Sequence, residues 1–266
     1  MKVDERKCVG CGNCVAVCTM GVIHVENAKA KINEDECVEC STCYRVLGSA
    51  GLWPPAVRLV RWILKMLHST FDPPIDVCPT GALVQPELDW PRVVRRYFSD
   101  PIARHPSTGG AGRGTEEIKT NDVTGRVGEG VAGFAVELGR PGLGTRFHDI
   151  QKMAMGLAEL GVTFETKNPV TAVMTNVKTG EINDQVLNEK VLSAIIEFRT
   201  EMDRVPEVLR KIDEMQRQLQ TVCSIGVASK CGPDGSITHQ KVVQEAGYTL
   251  FPTGKINLGL GRPAAV

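Results

Sequence analysis

Apolar and polar residues recur with regular periods from about residue 131 onward, whereas the front of the chain is less regular. Alternation indicates strands, and apolar residues three and four positions apart indicate helices, such as 149–160, which Gly161 closes. The predicted elements are, in order, a strand at 133–138, a helix at 149–160, strands at 170–177 and 192–198, a helix at 203–219, a strand at 221–229, a helix at 240–246 and a strand at 255–260.

The first six of these elements follow the order of an α/β sandwich with the ferredoxin-like βαββαβ fold. We therefore predict a C-terminal domain over residues 131–266 and an α+β chain as a whole. Domains of this kind often bind effectors or pair with one another, but that link is an analogy between folds. His148 and Asp149 are adjacent, yet no set of nucleophile, base and acid is evident, so we predict no catalytic residues.

An apolar and basic stretch, residues 55–68, predicts a helix in the front part, with Pro55 at its first position. Its basic residues share one stripe: Arg58, Arg61, Lys65 and His68. The main prediction is a helix that covers the preceding residues and packs them on the downstream domain. A helix that docks a partner and a helix that contacts a membrane surface are the alternatives.

Residues 89–98, DWPRVVRRYF, predict a second short basic helix. Asp89 is its predicted N-cap, and Arg92, Arg95 and Arg96 are predicted to be exposed. The two helices together would present a basic surface that attracts an acidic partner.

Residues 105–126 contain many glycines and few apolar residues, which is typical of a linker or an extended loop. Their density of polar groups favours a loop that lies across a partner subunit: Arg113, Thr115, Glu116, Lys119, Asn121 and Asp122. Neither glycine pattern predicts nucleotide binding. Gly114 is followed by a threonine where a Walker loop needs lysine. The segment GEGVAG at 128–133 precedes a predicted strand, whereas a dinucleotide-binding motif follows a strand and begins a helix. Residues 86–130 are therefore assigned to a helix and a polar linker or docking loop.

Composition and charge narrow the classes of function. The 266 residues are 42% hydrophobic and 23% charged with no formal net charge, so we expect a buried core and no nucleic-acid partner. The longest apolar stretch, around 56–67, is too short and too basic for a membrane span. No export signal is evident, so we expect a cytoplasmic protein.

Eight of the ten cysteines lie between residues 8 and 78, which indicates metal binding because reducing compartments keep thiols reduced. The first four form the C-x2-C-x2-C-x3-C run CVGCGNCVAVC: Cys8, Cys11, Cys14 and Cys18. Three thiolates at this spacing can wrap one iron–sulfur cluster, and the fourth usually reaches a second cluster. A zinc ribbon is the alternative, but zinc needs fewer thiols in each loop.

The second cysteine group contains Cys37, Cys40 and Cys43, and Cys78 follows after 34 further residues. The segments CTMGVI at Cys18 and CPTGAL at Cys78 share a cysteine, two residues, a glycine and two small or apolar residues. The chain therefore contains an internal repeat, and its second half carries a helical insertion at 44–77. Between the two halves, the residues around 22–33 alternate as a small hairpin does.

These cysteine patterns resemble those of bacterial-type two-cluster 2[4Fe-4S] ferredoxins, as found in iron–sulfur subunits of oxidoreductase complexes. The resemblance covers a ferredoxin domain over residues 1–85 and implies two [4Fe-4S] clusters. It implies one cluster on Cys8, Cys11, Cys14 and Cys78, and a second on Cys18, Cys37, Cys40 and Cys43. Thr19 stands where the family has proline, and the insertion interrupts the last loop, but neither departure removes a ligand.

A cluster with four thiolates has no vacant iron site, so it carries single electrons with little rearrangement. We therefore expect an electron-transfer protein that relays electrons between a catalytic oxidoreductase subunit and a redox donor or acceptor protein. The alternatives are a stand-alone oxidoreductase with a substrate or flavin site in the C-terminal domain, and a ligand or redox sensor. Cys223 is predicted to be a buried structural thiol, and Cys231 to be more exposed.

Overall fold

The computed structural model describes residues 1–44, 53–69, 77–110, 125–140 and 142–251, and it contains both helices and sheets, as the α+β prediction requires. The front elements are β1 (Lys2–Val3), α1 (Asn13–Ala16), β2 (Ile23–Glu26), β3 (Lys29–Ile32), α2 (Pro54–Met66), β4 (Leu83–Val84) and α3 (Val93–Ser99). The rear elements are β5 (Val131–Leu138), β6 (Thr145–Arg146), α4 (Phe147–Glu159), β7 (Thr163–Phe164), β8 (Met174–Asn176), β9 (Glu181–Ile182), β10 (Lys190–Val191), β11 (Ala194–Glu201), α5 (Val205–Gln216), β12 (Cys223–Ser229) and α6 (Thr238–Glu245).

Four strands of the rear part form one antiparallel sheet in the order β12–β5–β11–β7. Counted along the chain, these strands therefore lie in the order fourth, first, third, second. Helices α4 and α5 pack against each other, and their buried side chains share one hydrophobic core with the sheet. The rings of Phe134 and Phe198 stack with centroids 5.0 Å apart and join the two central strands.

The second strand of this sheet is shorter and earlier than predicted. Only Thr163–Phe164 pairs with β11, whereas the predicted strand at 170–177 contains a 3-10 turn and β8, which pairs with β9 in a separate hairpin. The fully buried Asn168 explains the difference, because its side-chain oxygen accepts from the amide of Val170 (2.7 Å) and its amide group donates to the carbonyl of Ile195 (2.9 Å). The first bond closes a local turn that ends the strand, and the second fixes this turn to β11.

Two antiparallel strand pairs form the front part. β2 and β3 make the predicted hairpin, with Ile23 opposite Ile32. β1 pairs with β4, and Lys2 lies opposite Val84. The segment that follows the insertion is therefore paired with the N-terminal residues. A small core fills the space between the pairs: Met1, Cys8, Cys14, Ile23, Ala30, Cys37, Cys43, Ala82 and Leu83. Four of the cysteines are therefore core residues.

Helix α3 forms where the second basic helix was predicted, but Arg95 is buried, so its predicted exposure is wrong. The Nη1 of Arg95 donates to the backbone carbonyls of Asp35 (2.5 Å) and Cys37 (2.8 Å), and its Nε pairs with Glu189. A buried guanidinium is tolerated here because carbonyl and carboxylate oxygens surround it. The arginine therefore joins the second cysteine group to the rear part of the chain.

Further ion pairs attach the same segment, residues 34–39, to α3 and to the paired strands β6 and β10. They are Arg92–Glu39, Arg146–Asp35, Arg146–Glu36 and Lys190–Glu36. The side chain of Arg92 is thus directed to this segment and away from solvent. No side-chain cap from Asp89 is found; its backbone carbonyl accepts from the amide of Val93 (2.9 Å).

Several predictions fall outside the described residues. They are the terminal strand at 255–260 and the polar loop residues Arg113, Thr115, Glu116, Lys119, Asn121 and Asp122. The domain boundaries at 85, 130 and 131 stay predictions. Within the described ranges, no helix combines the length and the apolar character that crossing a bilayer requires.

Burial of His105 makes the stability of the rear part dependent on pH. Its ring packs edge-to-face on Phe98, its Nδ1 lies 2.8 Å from the hydroxyl of Ser107, and burial lowers its pKa to about 4. Because an unfolded histidine titrates near 6.5, the unfolded chain binds a proton first, and stability falls as the pH drops from 6.5 toward 4. At pH 5.5 we expect a loss of about 1 kcal/mol relative to pH 7.5, measured by urea unfolding.

The variant His105→Gln should show a smaller loss between these two pH values. An undiminished loss in His105→Gln would assign the effect to other groups.

Candidate iron–sulfur centre

The two halves of the repeat place their cysteines in equivalent turns. The amide of Gly21 donates to the carbonyl of Cys18 (3.2 Å), and the amide of Gly81 donates to the carbonyl of Cys78 (3.3 Å). Both glycines have positive φ angles, 63° and 64°, which glycine adopts without strain. The similarity between CTMGVI and CPTGAL is therefore a similarity of backbone structure.

Each turn is attached to the cysteine loop of the other half. The amide of Asp4 donates to the carbonyl of Ala82 (2.7 Å), which joins the Cys78 turn to the strand before the first cysteine loop, residues 8–14. In the same way, the amide of Asn33 donates to the carbonyl of Val22 (2.9 Å), which joins the Cys18 turn to the second cysteine loop, residues 37–43. The backbone thus directs Cys78 toward the first loop and Cys18 toward the second.

Electrostatic contacts group the thiols of the first set. Burial raises the pKa of Cys14, and the neighbouring thiols Cys11, Cys78 and Cys8 raise it further. The sulfur atoms also accept backbone hydrogen bonds: the amide of Ala30 lies 3.3 Å from the Sγ of Cys8. These four cysteines are the set that the resemblance assigns to one cluster.

The hydrogen bonds around the Cys78 thiol favour its ionised form. Although burial opposes its ionisation, hydrogen bonds from the Thr80 hydroxyl and from the amides of Ala82 and Leu83 outweigh burial and lower the pKa of Cys78. The Ala82 amide lies 3.1 Å from the sulfur. Because metals bind the thiolate, this environment favours a ligand role.

The second set lines one cavity. Cys18, Cys37, Cys40 and Cys43 all border it, together with apolar side chains such as Ile23. Burial raises the pKa of Cys43 to about 12, and the thiols Cys40, Cys37 and Cys18 add to this effect. A bound cationic centre would reverse the effect, because a coordinating thiol is deprotonated.

Two threonine hydroxyls contact one sulfur of this second set. The Oγ1 of Thr19 lies 3.4 Å from the Sγ of Cys40, and the Oγ1 of Thr42 lies 3.3 Å from the same atom. Thr19 is the residue that replaces the family's proline, so the departure adds a polar contact that proline cannot make. The sequence shows that Thr19 departs from the pattern, but it does not predict that the hydroxyls of Thr19 and Thr42 contact the sulfur of Cys40.

The carboxylate of Glu39 lies beside the second set. Burial opposes its ionisation, but hydrogen bonds from the amino group of Met1 and from Arg92 hold its pKa below the ordinary value. Burial and the charge of Glu39 in turn raise the pKa of Cys37. The second set therefore has a fixed pair of opposite charges at its border.

The donor chemistry of both sets fits [4Fe-4S] clusters. Within the described ranges, no group of three or more His, Cys, Asp or Glu side chains is close enough to hold a single metal ion. The thiolates of a cubane bind four different irons, so they stand farther apart than the ligands of one ion, whose sulfurs lie about 2.3 Å from the metal. Cys223 and Cys231 lie apart from both sets, on β12 and in the exposed segment after it.

A family model described as a 4Fe-4S dicluster domain matches residues 1–46, which contain the first seven cysteines. No curated protein and no solved structure matches the chain. The N-terminal residues thus form a 4Fe-4S ferredoxin-type domain that binds metal as iron–sulfur clusters, and this indicates a role in electron transfer. Cys78 lies beyond the matched residues, so its assignment depends on the repeat and on the hydrogen bonds described above.

The first cysteine loop is tightly packed at Gly10. Its φ angle is 65°, and a Cβ atom would lie only 2.5 Å from the carbonyl oxygen of Ala28, a backbone atom. We expect Gly10→Ala to reduce the free energy of unfolding by about 3 kcal/mol and to lower the iron content. Denaturant unfolding and iron analysis of the purified protein measure the two effects.

Gly12, in the same loop, provides a matched control. Its φ angle is also positive, 78°, but no atom lies within 4 Å of the added Cβ. Gly12→Ala should therefore cost only the conformational strain, about 1 kcal/mol, and should keep its iron. Equal effects of the two substitutions would contradict the steric explanation.

Proposed function

We propose that this protein is a bacterial-type two-cluster iron–sulfur protein that relays single electrons as a subunit of an oxidoreductase complex. One [4Fe-4S] cluster is held by Cys8, Cys11, Cys14 and Cys78. The other is held by Cys18, Cys37, Cys40 and Cys43. When bound, such clusters accept and release one electron each.

The observation that carries this proposal is that the cysteine turn of each half is attached beside the cysteine loop of the other half. The bond from Asp4 to Ala82 attaches the Cys78 turn beside the first cysteine loop, and the bond from Asn33 to Val22 attaches the Cys18 turn beside the second. Both bonds support a fourth thiol for each loop from the opposite half. This arrangement supports two complete ligand sets. It also supports a short distance between them, because the segment that joins Cys14 to Cys18 belongs to both.

The residues around the thiols control water and charge. The core formed by Met1, Ile23, Ala30 and Leu83 excludes water from the buried sulfurs. The amides of Ala30 and Ala82 donate to sulfur, and the hydroxyls of Thr19 and Thr42 contact the sulfur of Cys40. Hydrogen bonds to sulfur are among the factors that set a cluster's reduction potential.

The rear part is proposed to be a ferredoxin-like βαββαβ domain that anchors the relay to its catalytic partner. The strand order and the two helices of its sheet support this fold. The polar loop within 105–126 is proposed to contact that partner. The protein is proposed to lie in the cytoplasm, since reducing compartments keep clustered cysteines available to a metal.

The test is anaerobic purification of the full chain, followed by iron and sulfide analysis and electron paramagnetic resonance of the reduced protein. We expect about eight irons and eight sulfides per chain and two interacting one-electron signals. We also expect a stoichiometric oxidoreductase subunit in an anaerobic pulldown from the native source. Bound zinc, or a single cluster with an iron open to solvent, would exclude the relay proposal.

A further inference from the structure

Helix α2 presents an apolar face to solvent. Seven large apolar side chains in and beside this helix are each between 42% and 71% exposed: Trp53, Leu59, Val60, Trp62, Ile63, Met66 and Leu67. The half-buried residues Val57 and Leu64 lie on the opposite side of the helix. The helix therefore directs its smaller contact surface to the protein and its larger apolar surface outward. That its inner side covers the ferredoxin domain stays a prediction.

This face is too apolar for an ordinary exposed helix. Scattered single apolar side chains are normal on protein surfaces, whereas a contiguous group marks an interaction site. Leu59, Trp62, Ile63 and Met66 follow the spacing i, i+3, i+4 and i+7, so they form one continuous stripe. Two of the exposed residues of this segment are tryptophans, which are enriched where an apolar phase meets water.

The charges around the stripe all have one sign. Residues 53–69 contain Arg58, Arg61 and Lys65 and no acidic residue. Arg58 and Lys65 border the apolar stripe beside Trp62, since they lie four residues before and three residues after it. The charged side chains that helix α2 itself places beside the stripe are therefore cations, which suit an anionic surface.

We propose that helix α2 lies on the surface of an anionic phospholipid bilayer, with the stripe of Leu59, Trp62, Ile63 and Met66 inserted and the exposed Lys65 at the headgroups. A basic border and an apolar face with tryptophan and aliphatic residues are features of interfacial helices. Lysine, which stands beside the stripe as Lys65, is depleted at protein interfaces and common on the polar face of interfacial helices. The helix lies between Cys43 and Cys78, so binding would hold the iron–sulfur domain at the membrane surface.

The test is flotation of the anaerobically purified full chain with vesicles of phosphatidylcholine alone and of phosphatidylcholine with phosphatidylglycerol at 3:1. We expect at least tenfold stronger binding to the anionic vesicles, a blue shift of tryptophan fluorescence, and weaker binding in high salt. Lys65→Gln should weaken binding by about fivefold. The double variant Trp62→Ser/Ile63→Ser should weaken it by more than tenfold.

Ile102→Ser is the matched control, because Ile102 is 52% exposed but lies outside helix α2. It should bind vesicles as the unaltered protein does, and all variants should keep the same iron content. Absence of binding to anionic vesicles, equal binding to neutral vesicles, or unchanged binding of the double variant would each overturn the proposal. None of these outcomes depends on the electron-relay function.

Discussion

Replacement of Cys78 by alanine is expected to destroy one of two [4Fe-4S] clusters and to leave the other intact. The iron content should fall from about eight atoms per chain to about seven if a three-iron remnant persists, or to about four if the cluster is lost. Iron and sulfide analysis, with electron paramagnetic resonance of the reduced protein, measures the number of intact clusters. Cys223→Ala is the matched control, since Cys223 lies on β12 in the rear sheet and should keep both clusters.

Double variants test which thiols share a cluster. If Cys11 and Cys78 bind the same cluster, Cys11→Ala/Cys78→Ala should still leave one intact cluster. If Cys18 belongs to the other set, Cys18→Ala/Cys78→Ala should leave none. Effects at independent sites add, and effects within one unit do not. The opposite result for these two pairs would require a different assignment of ligands.

The ligand candidates could be predicted because their signal is local. Three cysteines with two residues between neighbours must lie on one short loop. The segments CTMG and CPTG share one pattern, and this pattern predicts Cys78 as the counterpart of Cys18. The structure shows these two turns with matching backbone bonds and with glycine at the same positive φ angle. The long helices of the rear part were predictable for a similar reason, since their apolar residues recur with the helical period.

Features that depend on distant partners could not be predicted. A sequence of arginines on a short helix indicates exposure, and Arg95 is buried only because Glu189 and the carbonyls of Asp35 and Cys37 surround it. The displaced second strand has the same kind of cause. The side chain of Asn168 donates to the carbonyl of Ile195, which lies 27 residues later in the chain, and no local sequence pattern predicts that bond.

The exposed face of helix α2 shows a further limit. An amphipathic pattern gives the direction of the apolar stripe, but it does not say whether protein or another phase covers that stripe. The half-buried Val57 and Leu64 lie on one side, and the larger apolar set lies on the other. Only the folded chain shows which side is turned outward.

Replacement of Arg95 by methionine is expected to be the most destabilising single change in the contact between the cysteine loops and the rear part. The variant leaves the largely buried carboxylate of Glu189 and the carbonyls of Asp35 and Cys37 without this donor. Removal of one partner of a buried ion pair typically costs about 3–5 kcal/mol. Urea unfolding followed by circular dichroism measures the cost.

Arg96 provides the matched control on the same helix. It is half-buried and donates to the carbonyl of Pro86 (2.8 Å), so Arg96→Met should cost about 1 kcal/mol. The double variant Arg95→Met/Glu189→Met should recover part of the loss, because an apolar pair leaves no unpaired charge. If Arg95→Met were no more destabilising than Arg96→Met, the buried pair would not be the main link.

The same substitution separates mechanical support from ligand binding. Arg95 contacts the carbonyl of Cys37 but no sulfur, so Arg95→Met should keep both clusters at neutral pH in the absence of denaturant. Because the carbonyl bond fixes the second cysteine loop, release of iron to a chelator should become faster for about half of the iron and should stay unchanged for the rest. Faster release of all the iron would show that the two cysteine loops open together, as one cooperative unit.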